Sequence, residues 1–177
     1  MRHVLCLSLA AIVGCSGKPP VNRENARKNL TSQAEEVGQA MLAGDHAKMA
    51  QLTHAALVEK LGGRDKFIRQ LEMISTDMKE RGFQFKAVTF SEPSDLVESS
   101  GKLYAVVPFK LELAAPGVTR GSQASFLIGV SSDGGAGWRF VDGSGVAGDR
   151  RKLESILPGF PPELSLPAKE APVFEKN

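Results

Sequence analysis

The chain has 177 residues with 22 basic and 20 acidic side chains, so its formal net charge at pH 7 is only +2. A charge this balanced, with no basic stripe and no acidic tail, argues against nucleic acid as a partner. The length fits one domain, and a chain of this size buries about two thirds of its unfolded surface.

The N-terminus resembles a leader that is removed from the mature protein. After a short basic start, residues 4–13 form an apolar run interrupted only by Ser8, which is too short to span a bilayer. The run ends in Ile12-Val13-Gly14 directly before Cys15. This pattern resembles a bacterial lipobox, and the alternative is an ordinary signal peptide with an incidental cysteine.

The lipobox resemblance implies that residues 1–14 are a lipoprotein signal peptide and that the Cys15 thiol receives a diacylglyceryl group. We expect a lipid-anchored protein of the bacterial cell envelope, on the periplasmic or other extracytoplasmic face, because several acyl chains hold a membrane far more firmly than one. Cleavage leaves 163 residues with 21 basic and 20 acidic side chains. Cys6 leaves with the leader, so no thiol remains for a disulfide, a nucleophile or a zinc site.

Helical patterns fill the first half of the mature chain. Residues 15–25 are polar, contain Pro19-Pro20 and are expected to act as a tether. Three helices follow in residues 26–42, 46–61 and 65–81, each with an apolar stripe of helical period. Thr53-His54 is expected to mark a bend between two short helices within the second of these segments.

The period changes to two after the third helix, which predicts four to five antiparallel strands. A short helix and a Pro-rich tail in residues 158–177 end the chain. The fold class is therefore predicted as α+β, one domain over residues 26–157 with three N-terminal helices packed on a curved sheet. Trp138 and Phe140 are expected to pack against Leu71 and Ile74 of the third helix.

Residues 125–143 contain the strongest hairpin signal, an apolar run, a Gly-rich turn and the single tryptophan. Ser131, Asp133, Gly135 and Trp138 resemble an Asp-box hairpin, in which the Ser and Asp side chains accept or share hydrogen bonds within the turn and the Trp packs beneath it. That resemblance implies a structural turn rather than a catalytic one.

A second resemblance covers the helical half and, more loosely, the whole mature domain. The matching residues are Ala43-Gly44-Asp45, Met49, Leu52, Thr53, His54 and Gly63-Arg64-Asp65-Lys66-Phe67. They resemble the nuclear transport factor 2-like superfamily, which includes ketosteroid isomerases and SnoaL-like cyclases. The resemblance implies helices wrapped by a curved sheet that forms a cone. In the isomerases a strand pair between the second and third helices carries a catalytic carboxylate, whereas residues 55–62 are helical in pattern, with Glu59 as their only acid.

Two candidate acid–base residues stand out, Asp142 and His54. Asp142 alternates with Trp138 and Phe140, so it is expected on the core or cavity face, where burial would raise its pKa; the alternative is that it caps the turn at Gly143. His54 is expected either at a cavity mouth or bonded to backbone at the helix bend. With two mature histidines and no free thiol, no metal site and no cofactor are predicted.

The sequence thus leaves two functions open. The first is a non-catalytic envelope lipoprotein whose domain binds a small apolar ligand or an envelope protein. The second is a cyclase- or isomerase-like enzyme that acts on a hydrophobic substrate in the cone, with Asp142 and His54 as its acid–base groups. An open pocket would favour the second function, and a cone filled by aromatic side chains would favour the first.

Overall fold

The structure, a computed structural model, describes residues 21–146, 149–168 and 170–176. The leader and Cys15 lie outside these residues. The helices are α1 (Arg23–Ala43), α2 (His46–Leu52), α3 (Ala55–Lys60), α4 (Arg64–Glu80) and α5 (Arg150–Glu154), with a short 3-10 helix at Gly143–Gly145. The strands are β1 (Gln84–Phe90), β2 (Val97–Ser99), β3 (Lys102–Ala115), β4 (Val118–Ser131), β5 (Arg139–Asp142) and β6 (Val173–Lys176).

Side-chain caps fix where the N-terminal helices begin and end. Asn22 caps α1 by accepting from the Asn25 N–H, and Asp45 caps α2 by accepting from the Lys48 N–H. Between them Gly44 ends α1 with a φ of 68°, a left-handed conformation that glycine adopts without a Cβ penalty. These caps turn the chain back on itself after α1, which lets α2 pack against α1.

The sheet is built around one long hairpin. β3 and β4 pair antiparallel over their whole length, with Tyr104 opposite Val130 and Phe109 opposite Ser125. β1 and β2 pair with different halves of the outer edge of β3, and β5 and β6 do the same along β4. The described residues thus form an open, six-stranded antiparallel sheet with a hairpin at its centre.

Each face of the sheet carries its own hydrophobic core. On the first face, α1 covers the sheet through an apolar stripe that includes Leu30 and Ala34. The other members of this first core are Ala26, Val37, Leu52, Leu96, Leu103, Ala105, Val107, Phe109, Leu127, Trp138 and Phe140. On the second face, α5 and the chain after it cover Tyr104 and Ile128. Alternation along the strands therefore places apolar side chains on both faces, and the protein has helix, sheet and C-terminal segment as three layers.

The α+β class predicted from the sequence is confirmed, but the element counts differ from the prediction. In the part of the chain that the structure describes, four helices rather than three precede the sheet, because Thr53 is extended (φ −73°, ψ 143°) and His54 starts a new helix as its cap. Six strands rather than four to five form the sheet, since residues 173–176 add β6 to β4. The Pro-rich segment also contributes Phe160 and Leu164, both buried, to the second core.

The prediction that Trp138 and Phe140 pack against the third predicted helix is wrong. Both aromatic residues are buried, but they pack in the core under α1 rather than against Leu71 and Ile74. Ile74 is 58 % exposed, because α4 packs on α2 and α3 and not on the sheet. The first helix already occupies the sheet face that the third predicted helix was expected to cover.

Candidate functional site

The turn between β4 and β5 is held together by hydrogen bonds to its own side chains. The Ser131 hydroxyl donates to Asp133 Oδ1 at 2.7 Å and accepts from the Gly135 N–H at 2.9 Å. The Gly137 N–H donates to the same Asp133 oxygen at 2.9 Å. Backbone N–H groups that a tight Gly-rich turn leaves without ladder partners are thus bonded to these two side chains.

The same turn is bound to α1 by side chains that sequence reasoning missed. Asn29 Nδ2 donates to the Gly135 carbonyl at 2.9 Å, and Gln33 Nε2 donates to the Ala136 carbonyl at 3.1 Å. Gln33 Oε1 also accepts from the Trp138 N–H at 2.7 Å. Asn29 and Gln33 are four residues apart on one helix face, a polar pair beside the apolar stripe, and that spacing was the available signal.

Trp138 completes the junction between turn and helix. Its indole Nε1–H donates to the Ala26 carbonyl at 3.1 Å, and its side chain is fully buried. Gly135 lies so close to α1 that a Cβ there would be 2.2 Å from Ala26 Cβ. The four residues of the Asp-box-like pattern therefore fold the turn and hold α1 on the sheet.

Asp133 carries its charge within this network. The N–H of Gly137, followed by smaller contributions from Ser131 and neighbouring N–H groups, holds the pKa of Asp133 below its usual range, although partial burial opposes the shift. A lowered carboxyl pKa in the folded state stabilises the fold above the unfolded pKa. That contribution is lost as the pH falls through the folded pKa, so the turn should weaken only in acid.

Asp142 lies where the alternative interpretation of the sequence placed it. It alternates onto the face of Phe140, but it is the last residue of β5 and is exposed. Its Oδ1 accepts from the Ser144 N–H at 2.8 Å and so caps the 3-10 helix. A carboxylate used in this way is not in the buried setting that the acid–base hypothesis requires.

His54 lines a different feature, a polar cleft of about 330 Å³. Its Nδ1 accepts from the Ala56 N–H at 3.3 Å, and its own backbone N–H donates to the Phe140 carbonyl at 2.8 Å. The pKa of His54 is lowered, first by burial and then by the charge of Lys102. Within the described residues no hydrogen bond joins His54 to Asp142, so the structure does not assemble the predicted acid–base pair.

The other mature histidine, His46, has a separate environment. Its Nε2 lies 2.8 Å from the Ser75 hydroxyl, which links α2 to α4. Across the part of the chain that the structure describes, no group of three or more His, Cys, Asp or Glu side chains is arranged to hold a metal ion. No helix in the same residues is long and apolar enough to cross a membrane.

Comparison with family models and with curated proteins gives no relative to which this site can be referred. No protein-family model matches the chain, and no curated protein is significantly similar to it. The function proposed below therefore rests on the geometry of the described residues.

Proposed function

We propose that this protein is a lipid-anchored domain of the bacterial cell envelope that acts by binding at its surface rather than by catalysis. The anchor is Cys15, and residues 16–22 connect it to the first helix on the extracytoplasmic side. The binding partner on this proposal is an envelope protein or a small ligand held in a surface cleft.

The observation that carries the proposal is the filled interior. Phe109, Trp138 and Phe140 pack with α1 on one face of the sheet, each at most 5 % exposed. The second face is covered by α5 and the segment after it, around Phe126. An enzyme for a hydrophobic substrate needs an enclosed cavity with converging polar groups, and these cores occupy the volume in which it would lie.

The nuclear transport factor 2-like resemblance is part of the same proposal. The resemblance implies that helices come first in the chain and that a long-stranded antiparallel sheet follows. The elements of this chain have that order, which supports the resemblance. The protein would then be a variant in which α1 fills the cone and the C-terminal segment covers the outside. Such a variant keeps the scaffold without the cavity in which related enzymes do their chemistry.

The surface offers apolar contact area on α4. Met73 is 71 % exposed and Ile74 is 58 % exposed, on a helix that has no fully buried residue. The two side chains are adjacent in the chain, and exposed apolar side chains that lie together are typical of sites that bind other proteins. This helix supports the choice of a surface function over an interior one.

Xenon binding tests the filled interior directly. We expect the indole N–H signal of Trp138 in the full chain to stay unchanged under xenon pressure, because xenon occupies dry apolar cavities of about 150 Å³. The control is Phe140→Ala, because Phe140 and Trp138 both lie against Gly129, so the cavity should form beside the indole and shift its signal. Saturable xenon binding beside Trp138 in the unaltered protein would overturn the surface-binding proposal.

Mass spectrometry of the mature N-terminus tests the anchor. We expect a chain that begins at Cys15 and carries a diacylglyceryl group, because small and aliphatic residues precede this cysteine. Cys15→Ser should abolish the lipid mass. An unmodified chain that begins at another residue would contradict the anchor.

A further inference from the structure

Three nitrogen-bearing side chains from separate elements line the cleft beside the Ser131–Trp138 turn. His54 caps α3, Lys102 begins β3 and Arg139 begins β5. The cleft has a volume of about 330 Å³. Sequence reasoning considered His54 alone, since Lys102 and Arg139 are distant from it along the chain.

The sheet register explains why these residues meet. Arg139 is directly opposite Val130, and Val130 is directly opposite Tyr104, two residues after Lys102. Because side chains alternate along a strand, Lys102 and Arg139 share the sheet face of Val130, which also lines the cleft. A bridge between Thr53 and Phe140 places His54 at the same end of the sheet.

The charges in the cleft do not balance. Asp133 is the one acid among the lining residues of the described chain, and its Oδ1 already accepts from Ser131 and Gly137. Within the described residues neither Lys102 nor Arg139 takes part in a salt bridge. Two permanent positive charges therefore face the cleft against one carboxylate that is bonded within its own turn.

The donors differ in a way that suits an oxyanion. Arg139 offers a planar guanidinium, whose Nη1 donates to the Trp138 carbonyl at 2.8 Å, and Lys102 offers a compact ammonium group. His54 Nδ1 accepts from the Ala56 N–H, so Nε2 carries the proton of the neutral ring and can donate. We propose that this cleft binds a small oxyanion of the phosphate or sulfate class between Lys102, Arg139 and His54.

A phosphate group of this kind has two sources, a soluble phosphate compound or a lipid headgroup. Val21 Cγ2 lies 3.8 Å from where a Cβ on Gly134 would be, so the N-terminal end of the described chain adjoins the turn that lines the cleft. Val21 is the sixth residue after Cys15, a separation of about 20 Å in a fully extended chain. The headgroup source, unlike the site itself, rests on the proposed anchor.

The test uses the His54 ring as its reporter. The full chain in neutral detergent is titrated by NMR with and without sulfate, whose charge is constant between about pH 5 and pH 8, where histidine titrates. The positive charge of Lys102 acts on His54, and Arg139 and Asp133 line the same cleft with one positive and one negative charge. Bound sulfate should raise the His54 pKa by about 0.5 or more, while His46, bonded to Ser75, stays unchanged as the internal reference.

Two variants identify where the sulfate binds. Lys102→Met should raise the His54 pKa without sulfate, because it removes a positive charge that lowers it, and should remove most of the response to sulfate. Arg139→Gln should also weaken the sulfate response, and an unchanged His46 signal reports that each variant is folded. A response as large in both variants as in the unaltered protein means an adventitious ion only and overturns the proposal.

Nanodiscs separate the two sources. If the headgroup is the ligand, discs that contain phosphatidylglycerol should raise the His54 pKa more than that of His46, without sulfate and only when Lys102 is present. A general surface potential would raise both pKa values together. If neither sulfate nor phosphatidylglycerol changes the His54 pKa, the proposed oxyanion site is wrong. If Cys15 carries no lipid but sulfate still raises the His54 pKa, only the proposed anchor is wrong.

Discussion

Replacing Trp138 by alanine should lower the free energy of unfolding by about 3–5 kcal/mol, the range for large aromatic side chains removed from a core. The side chain is fully buried between α1 and the sheet, where Leu30 and Phe140 belong to the same core. Its removal leaves a cavity that the helix cannot close without losing the bonds that Asn29 and Gln33 make to the turn. Urea unfolding followed by circular dichroism measures the loss.

Trp138→Phe is the matched control for this prediction. A phenyl ring fills much of the same space but cannot donate to the Ala26 carbonyl, which the indole reaches at 3.1 Å. We expect a loss of about 1–2 kcal/mol, clearly smaller than that of the alanine variant. A loss below about 1 kcal/mol for Trp138→Ala would show that the indole lies at the surface.

Gly135→Ala should lower stability by about 2–4 kcal/mol, although it adds a single methyl group. Gly135 has a φ of 94°, a conformation that costs an alanine about 1 kcal/mol. The added Cβ would also lie 2.2 Å from Ala26 Cβ and 2.8 Å from Ala26 Cα, so helix and turn would have to separate. Their separation would strain the Asn29 bond to the Gly135 carbonyl.

Gly134→Ala is the control that separates the cost of the contact with Ala26 from the cost of the backbone conformation. Gly134 has a similar φ of 78°, but the nearest atom to its added Cβ is Val21 Cγ2, at an ordinary contact distance of 3.8 Å. Gly134→Ala should therefore show the backbone cost alone, about 1 kcal/mol. Chemical denaturation of both variants gives the difference, and equal losses would mean that contact with α1 adds nothing.

Local signals in the sequence predicted much of the fold. The period of the apolar residues identified the helices and the strand region, and the glycine-rich stretch before Trp138 identified the turn. These features depend on neighbours within a few residues, which the sequence displays directly. The split between α2 and α3 falls at Thr53 and His54, where the sequence predicted a bend between two short helices.

Long-range packing was harder to predict from the sequence. The apolar stripe on α4, with Leu71 and Ile74, indicated a core position, yet a stripe does not specify which surface covers it. The register of β4 likewise decides that Phe126 lies on the opposite face from Phe109 and Trp138. Neither choice has a local signature, because each is settled by competition between elements for one sheet face.

The candidate site shows the same division. The bonds of Ser131 and Asp133 lie within the turn and follow from its residue types. Alternation along the strand predicted that Asp142 shares the face of Phe140. It did not predict that β5 ends at Asp142, where the carboxylate is exposed. The cleft near His54 gathers residues from three elements, so only the assembled sheet brings Lys102 and Arg139 beside it.

The central claim is that the Ser131–Trp138 turn is a scaffold that holds the first helix on the sheet. The most direct test is a double-mutant cycle of Gly135→Ala and Ala26→Gly, measured by urea unfolding. Alone, Ala26→Gly should cost about 1 kcal/mol, as glycine does within a helix. In the Gly135→Ala background the same change should cost little or nothing, with a coupling energy of about 1–2 kcal/mol. It removes the Ala26 Cβ that lies 2.2 Å from the new Cβ, while the contact with Ala26 Cα at 2.8 Å stays. Strictly additive losses would show that turn and helix do not depend on this contact, and would contradict the claim.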